Sequence, residues 1–252
     1  KERGEPITML TAYDASFGRQ LDRAGVDCLL VGDSLGNVIQ GHDTTLPVSV
    51  DDMIYHSRAV SRGLQRSFLI ADMPFMSYAD PATAAHSAHR LMAQGHAAMV
   101  KLEGGGPVGE SIAHLQALGV PVCAHLGLTP QHVHRLGGFR VQGRAEAAAE
   151  AMLEEARALE RAGAQMLVLE CVPTRVAARI SAALTIPVIG IGAGAEVDGQ
   201  VLVLYDMLGI SDRAPRFARD FLTETGSVRA AAEAYVEAVG TRRFPAAEHC
   251  FD

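Results

Sequence analysis

The chain contains no tryptophan, and aromatic residues make up only 5% of its 252 positions. Its interior therefore has to be aliphatic, and a Val, Leu, Ile and Ala core suits parallel strands covered by helices. Cysteine is scarce too. Cys28, Cys123, Cys171 and Cys250 form no CxxC or CxH pair, and three of them lie in apolar runs. That pattern argues against a disulfide framework and a zinc site, and a reducing cytoplasm is the simplest setting. Positive charge is in deficit, with 22 Lys and Arg against 29 Asp and Glu and a formal net charge of −7. A nucleic-acid or acidic-membrane surface needs a basic face, so the expected partner is a small molecule. No apolar run reaches the roughly 18 residues of a membrane span, and no signal peptide is visible from Lys1 onward. Low-complexity segments and linkers are missing as well. One domain over residues 1–252 is expected, with 213–252 as a C-terminal helical extension.

What the chain does have is a run of eight short apolar segments: "ITMLTAYD" (7–14), "CLLVGDS" (28–34), "FLIADMPF" (68–75), "MVKLEGG" (99–105), "PVCAHLGL" (121–128), "MLVLECV" (166–172), "PVIGIGAG" (187–194) and "VLVLYDML" (201–208). Between most of them lie Ala-rich stretches such as "EAAAEAMLEEARALERAGA", with apolar positions at helical spacing. Eight strand-then-helix units predict a parallel (β/α)8 TIM barrel of the α/β class. "RAGVDCLLV", "AQGHAAMVKL" and "RAGAQMLVLE" each end a helix at glycine and enter a strand, which is αβ-loop chemistry. The seventh connection is too short for a normal helix. "RFARDFLTET" and "SVRAAAEAYVEAV" predict two helices in the tail.

A parallel barrel gathers its site at the C-terminal ends of the strands. There the second segment carries Asp33 and Ser34, the third Asp72, the fourth Lys101 and Glu103, and the sixth Glu170. Side chains alternate along a strand, so Lys101 and Glu103 share the face opposite Val100 and Leu102 and point into the barrel mouth. Simpler readings exist: an Asp after a strand can be a helix N-cap, and Lys101 with Glu103 can be a structural ion pair. Four acidic residues converging on one mouth would repel, and a cation or a raised pKa relieves that. Three oxygen ligands, Asp33, Asp72 and Glu103, without a Cys or His partner favour a hard ion, Mg2+ first. Such a metal binds a 2-oxo acid as a Lewis acid and stabilises the enolate formed when C3 loses a proton. Glu170, in the apolar "LVLECV", is then the expected base, with desolvation raising its pKa. Lys101, beside carboxylates, is expected to stay charged and anchor the substrate rather than form a Schiff base. His125 ends the fifth segment, as a pocket residue or a structural hydrogen-bonder; His132 and His134 read as solvated. "GIGAG" (190–194) reads as a tight βα turn rather than a phosphate loop. Cys171 falls on the face opposite Glu170 and reads as core.

Several motifs carry a family resemblance. "LTAYDASF", "VGDSLGNVIQGHDTTLPVSVDDM", "ADMPFMSY", "VKLEGG", "VCAHLGLTPQ", "GGFRVQGR", "LVLECVP" and "IPVIGIGAG" closely resemble the 3-methyl-2-oxobutanoate (ketopantoate) hydroxymethyltransferase family along nearly the whole chain. The resemblance implies formation of ketopantoate, toward pantothenate and coenzyme A, with 5,10-methylenetetrahydrofolate as one-carbon donor and one Mg2+ per subunit. It places metal and substrate contacts on Asp33 and Asp72, substrate contacts on Ser34 and Lys101, a metal contact on Glu103 and the base on Glu170. It further implies a cytoplasmic homo-oligomer, with a decamer as the suggested assembly. Two departures stand out: Cys250 replaces a frequent serine, and the N-terminal helix is short. The runner-up is a Mg-dependent C–C lyase or mutase of the isocitrate lyase and phosphoenolpyruvate mutase type. That group generally carries a catalytic Cys loop between strands four and five, which none of the four cysteines fits. A barrel without chemistry, serving assembly or regulation, is the non-enzymatic alternative.

Overall fold

A computed structural model describes residues 1–138 and 140–252. Phe139 of the "GGFRVQGR" motif lies outside the described residues. Eight parallel strands close into a barrel: β1 (Ile7–Thr11), β2 (Cys28–Val31), β3 (Phe68–Asp72), β4 (Met99–Glu103), β5 (Val122–Gly127), β6 (Met166–Glu170), β7 (Val188–Ile191) and β8 (Gly199–Leu202). Each pairs with the next, and β8 closes on β1 with Met9 opposite Val201. The predicted TIM barrel is thus the observed fold. The strands are built mainly from Val, Leu, Ile, Ala and Met and are buried on both faces over most of their length, as a sheet with side chains inside and helices outside requires. Among the described residues no helix is long and apolar enough to cross a membrane.

Boundaries differ from expectation where composition misleads. The eighth strand is Gly199–Leu202 rather than 201–208, and Leu204–Met207 is a helical turn in which "LYDM" buries Leu204 and Met207. Of "RFARDFLTET" only Leu222–Thr225 is helical, because Asp220 accepts from the backbone N–H groups of Leu222 and Thr223 and starts the turn there. Gly25 and Gly163 take the left-handed conformation expected at helix ends, but at the third such junction His96 takes it instead. Gly95 has a different role there: a Cβ on it would lie 2.5 Å from the Leu91 carbonyl oxygen.

The helix Val228–Gly240 lies against β1 and the helix Ala15–Arg23. Ala231, Ala232, Tyr235, Ala238 and Val239, at three- and four-residue spacing, form its buried stripe. Tyr235 donates its hydroxyl hydrogen to the carbonyls of Met9 (3.0 Å) and Gln200 (2.9 Å), so one phenol spans the β1–β8 seam. Tyr235→Phe is expected to lower unfolding free energy by about 1–3 kcal/mol, the cost of leaving buried acceptors without that donor. A urea melt showing no loss would remove the seam role.

Candidate active site at the barrel mouth

Strand register builds the site. Asp72 pairs with Lys101, Glu103 with His125, and Gly127 with Glu170. Neighbours in register on parallel strands face the same side, so Asp72, Lys101, Glu103, His125 and Glu170 all enter the barrel interior in successive rungs. Asp33 arrives from the turn after β2. Asp33, Asp72, Lys101, Glu103 and His125 are each only 2–4% exposed. Five ionisable side chains buried together need one another, since an unpaired buried charge is prohibitively costly.

Their contacts show how the cluster is balanced. Lys101 Nζ donates to Asp72 Oδ1 at 2.6 Å and lies 3.9 Å from Glu103 Oε1. Asp72 Oδ2 accepts from the Asp33 backbone N–H at 3.1 Å. Neither aspartate is an N-cap, whereas Asp14, at the end of the first apolar segment, is one, accepting from Ser16 and Phe17. Burial works against the charged form of Lys101, but Asp72, Glu103 and Asp33 outweigh it and hold its pKa above that of an ordinary lysine. Burial, then the charges of Glu103 and Asp72, push Asp33 well above the usual carboxylate range. Burial would raise Glu103 as well, yet His125 and Lys101 prevail and keep it low. One lysine thus faces three carboxylates, and Asp33 carries the unbalanced repulsion.

His125 stands between two carboxylates, Nδ1 3.3 Å from Glu103 Oε1 and Nε2 3.4 Å from Glu170 Oε2. Neither nitrogen makes a well-directed hydrogen bond at those separations. Burial and Lys101 oppose its charge, but the two acids raise its pKa to about 9. Glu170 is less enclosed than the apolar "LVLECV" suggested: its side chain is 15% exposed and faces an imidazole. Ser34 is half-buried, its Oγ 2.9 Å from the Tyr13 hydroxyl. A Cβ at Gly32 would lie 2.7 Å from that Oγ and 3.4 Å from Asp72 Oδ2, so a side chain there would displace the Ser34 hydroxyl.

Gln131 is a site residue that sequence reasoning left unassigned. Its Nε2 donates to Asp33 Oδ2 and to the Met73 carbonyl, both at 2.9 Å, and its backbone N–H donates to Glu103 Oε2 at 3.0 Å. Tyr78 donates its hydroxyl to the Gln131 side-chain oxygen. Gln131 therefore ties two acids of the cluster through the short turn Pro130–His132. Its only signal was its place in "GLTPQ".

Beside the cluster a cavity of about 640 Å³ opens over β4 and β5, within the range of small-molecule sites. Glu103 is the one charged cluster member on its wall; Asp33, Asp72 and Lys101 lie deeper. Gly104, Gly105 and Gly106 line it. His132 also lines it, half-buried with Nδ1 2.9 Å from Thr129 Oγ1, which corrects its reading as solvated; His134 is exposed. Gly192 and Gly194 have positive φ, and a Cβ at Gly192 would strike Phe217, so "GIGAG" is a tight turn under an aromatic ring. Cys171 is buried, and burial with the neighbouring Glu170 charge raises its thiol pKa.

The carboxylates of Asp33, Asp72 and Glu103 are an oxygen-only donor set with excess negative charge, the chemistry a hard divalent cation fits. Both oxygens of Asp72 already accept a hydrogen bond, yet each keeps a second acceptor direction. Among the described residues no three such side chains surround one point as a ready-made metal cage.

The sequence profile described as ketopantoate hydroxymethyltransferase matches residues 1–247. The chain is 59% identical over 252 residues to the 3-methyl-2-oxobutanoate hydroxymethyltransferase of Shewanella loihica, covering all of this chain and 95% of that one. It is 60% identical over 249 residues to the enzyme of the same name from Nitrosococcus oceani, covering 98% and 94%. Among solved structures it is similar to 2,3-dimethylmalate lyase, a PEP mutase/isocitrate lyase superfamily member, with a TM-score of 0.61, 20% identity and coverage of 90% and 85%. It is also similar to oxaloacetate acetylhydrolase, with a TM-score of 0.61, 16% identity and coverage of 98% and 95%. At such identities the structural likeness concerns the fold alone.

Proposed function

The chain belongs to the ketopantoate hydroxymethyltransferase family, and from that premise we propose how its barrel mouth transfers a hydroxymethyl group to 3-methyl-2-oxobutanoate on the route to pantothenate. The co-substrate is 5,10-methylenetetrahydrofolate. The observation that carries the reading is the buried group of three carboxylates around one lysine, with a fourth carboxylate one rung above.

Lys101 anchors the 2-oxo acid by charge, and Ser34 supplies a hydroxyl at the same edge. Mg2+, when bound by Asp33 and Asp72 with Glu103 near it, supplies Lewis-acid polarisation of the substrate's carbonyl. Glu170 takes the proton from C3, leaving an enolate whose charge the protonated Lys101 helps to hold. Water opens the folate's N5–CH2–N10 bridge, breaking both carbon–nitrogen bonds so that the two nitrogens gain hydrogen and the carbon is released as formaldehyde; C3 of the enolate bonds to that carbon, its oxygen takes the proton held by Glu170, and 2-dehydropantoate and tetrahydrofolate leave. Lys101 is too strongly held as an ammonium to act as an imine-forming nucleophile. An assembly of identical subunits in the cytoplasm belongs to the same proposal and rests on the family resemblance.

The runner-up lyase or mutase reading loses support because the segment between β4 and β5, residues 104–121, contains no cysteine. Purified protein given both substrates and Mg2+ is expected to form 2-dehydropantoate, to stop when a chelator is added and to recover with excess Mg2+. Product formation indifferent to chelation would remove the metal from the mechanism. Cleavage of a 2-alkylmalate without folate would favour the runner-up.

A further inference from the structure

The cavity over β4 and β5 contains a carboxylate that the chemistry above does not use. Glu155 projects from the helix Glu146–Ala162 into the wall, half-buried, against the loop that follows β4. Contact there is so close that a Cβ on Gly105 would lie 1.8 Å from Glu155 Oε1. Gly105 is two residues past Glu103, so the Glu155 carboxylate lies against backbone at most about 7 Å along the chain from the reacting cluster. Among the described residues no side chain donates a hydrogen bond to it, and the nearest cation acting on it is Arg135, exposed at the rim. Burial prevails over Arg135 and the Gly106 backbone and raises its pKa. Phe75 and Met152 are among the apolar side chains that line the same cavity. A carboxylate is acceptor-only when ionised, so the fitting ligand presents adjacent N–H donors on a flat, partly apolar body.

We propose that Glu155 recognises the pterin ring of the folate co-substrate, its two oxygens accepting from N3–H and the 2-amino group, while Arg135 at the rim takes the anionic glutamate end. The inference rests on the folate-dependent reading above and adds its binding residues. It gives the ring one orientation: the pyrimidine edge meets Glu155, and the opposite edge, which carries the one-carbon unit, turns toward Glu103. It also gives the "EGGG" run a purpose, since any side chain at position 105 would displace the carboxylate.

Calorimetric titration with tetrahydrofolate and with 6-methyltetrahydropterin, which lacks the aryl-glutamate tail, tests this on the full chain. Glu155→Gln is expected to weaken both ligands about tenfold or more, the scale of a lost charge-assisted hydrogen bond. Gly105→Ala should produce the same loss by pushing the carboxylate aside. Arg135→Ala should weaken tetrahydrofolate more than the pterin, which loses only the support Arg135 gives to the Glu155 charge. Affinity for 3-methyl-2-oxobutanoate should stay within about twofold of wild type in all three. Wild-type affinity for both pteridines in Glu155→Gln would overturn the inference, as would equal loss of both in Arg135→Ala. If the wild-type enzyme instead makes no 2-dehydropantoate from the two substrates, the folate-dependent reading itself fails.

Discussion

Lys101→Met lowers the unfolding free energy, in the presence of chelator, by about 3–5 kcal/mol, the usual cost of removing one partner from a buried charge pair. Lys101 is 4% exposed and bonds Asp72 at 2.6 Å, while Glu103 and Asp33 draw on the same charge. Without it three carboxylates remain in one buried space, and the way out is to bind protons. Their native pKa values then stand above the unfolded ones, so the native state holds more protons than the unfolded state above about pH 4. Stability therefore falls as pH rises from there, and the variant's deficit is larger at about pH 8 than at about pH 5. Adding Asp72→Asn should return part of the loss, because the pair is coupled and the two changes are not additive. Guanidinium melts of the two single variants and the double variant check this. A Lys101→Met loss below about 1 kcal/mol, flat with pH, would mean that the lysine is not the cluster's counter-charge.

Why was that cluster legible in the sequence when the cavity beside it was not? The acids and the lysine sit inside strands, where alternation assigns each to a face, and a charge facing a barrel interior stands out against Val and Leu neighbours. Register then carries them together across strands far apart in the chain, as with Asp72 and Lys101. The eight strands were legible for the same reason, as apolar runs punctuated by turns. The eighth is displaced because Gly199 and Gln200 have no strand character while "LYDML" has, and β1 and the Tyr235 phenol, not local preference, hold them extended. The cavity draws on the loop after β4, the turn after β5 and the helix Glu146–Ala162. Glu155 looks like one more solvent-facing glutamate of an amphipathic helix. Only its tertiary contact with Gly105 separates it from Glu150 and Glu154, which pair with exposed arginines on the surface. Gln131 was hidden similarly, as a neutral side chain whose polar partners all lie at least 28 positions away.

Glu170→Gln is expected to slow exchange of the C3 proton of 3-methyl-2-oxobutanoate with deuterated solvent by about a hundredfold or more, the scale of a lost general base. The measurement needs no folate, so proton removal is read apart from one-carbon transfer. Glu170 ends β6 with its side chain partly open, and an amide of the same shape disturbs little packing, so the variant should melt close to wild type. The competing base is His125, which the structure disfavours. Its two ring nitrogens lie 3.3 and 3.4 Å from the carboxylates of Glu103 and Glu170, and the two acids favour its charged form, which has no lone pair to take a proton. With Glu170 as the base and His125 only its neighbour at 3.4 Å, His125→Asn should slow exchange less than Glu170→Gln does. Proton exchange followed by NMR in both variants decides the matter: wild-type rates in Glu170→Gln, together with abolished exchange in His125→Asn, would move the proton transfer to the imidazole.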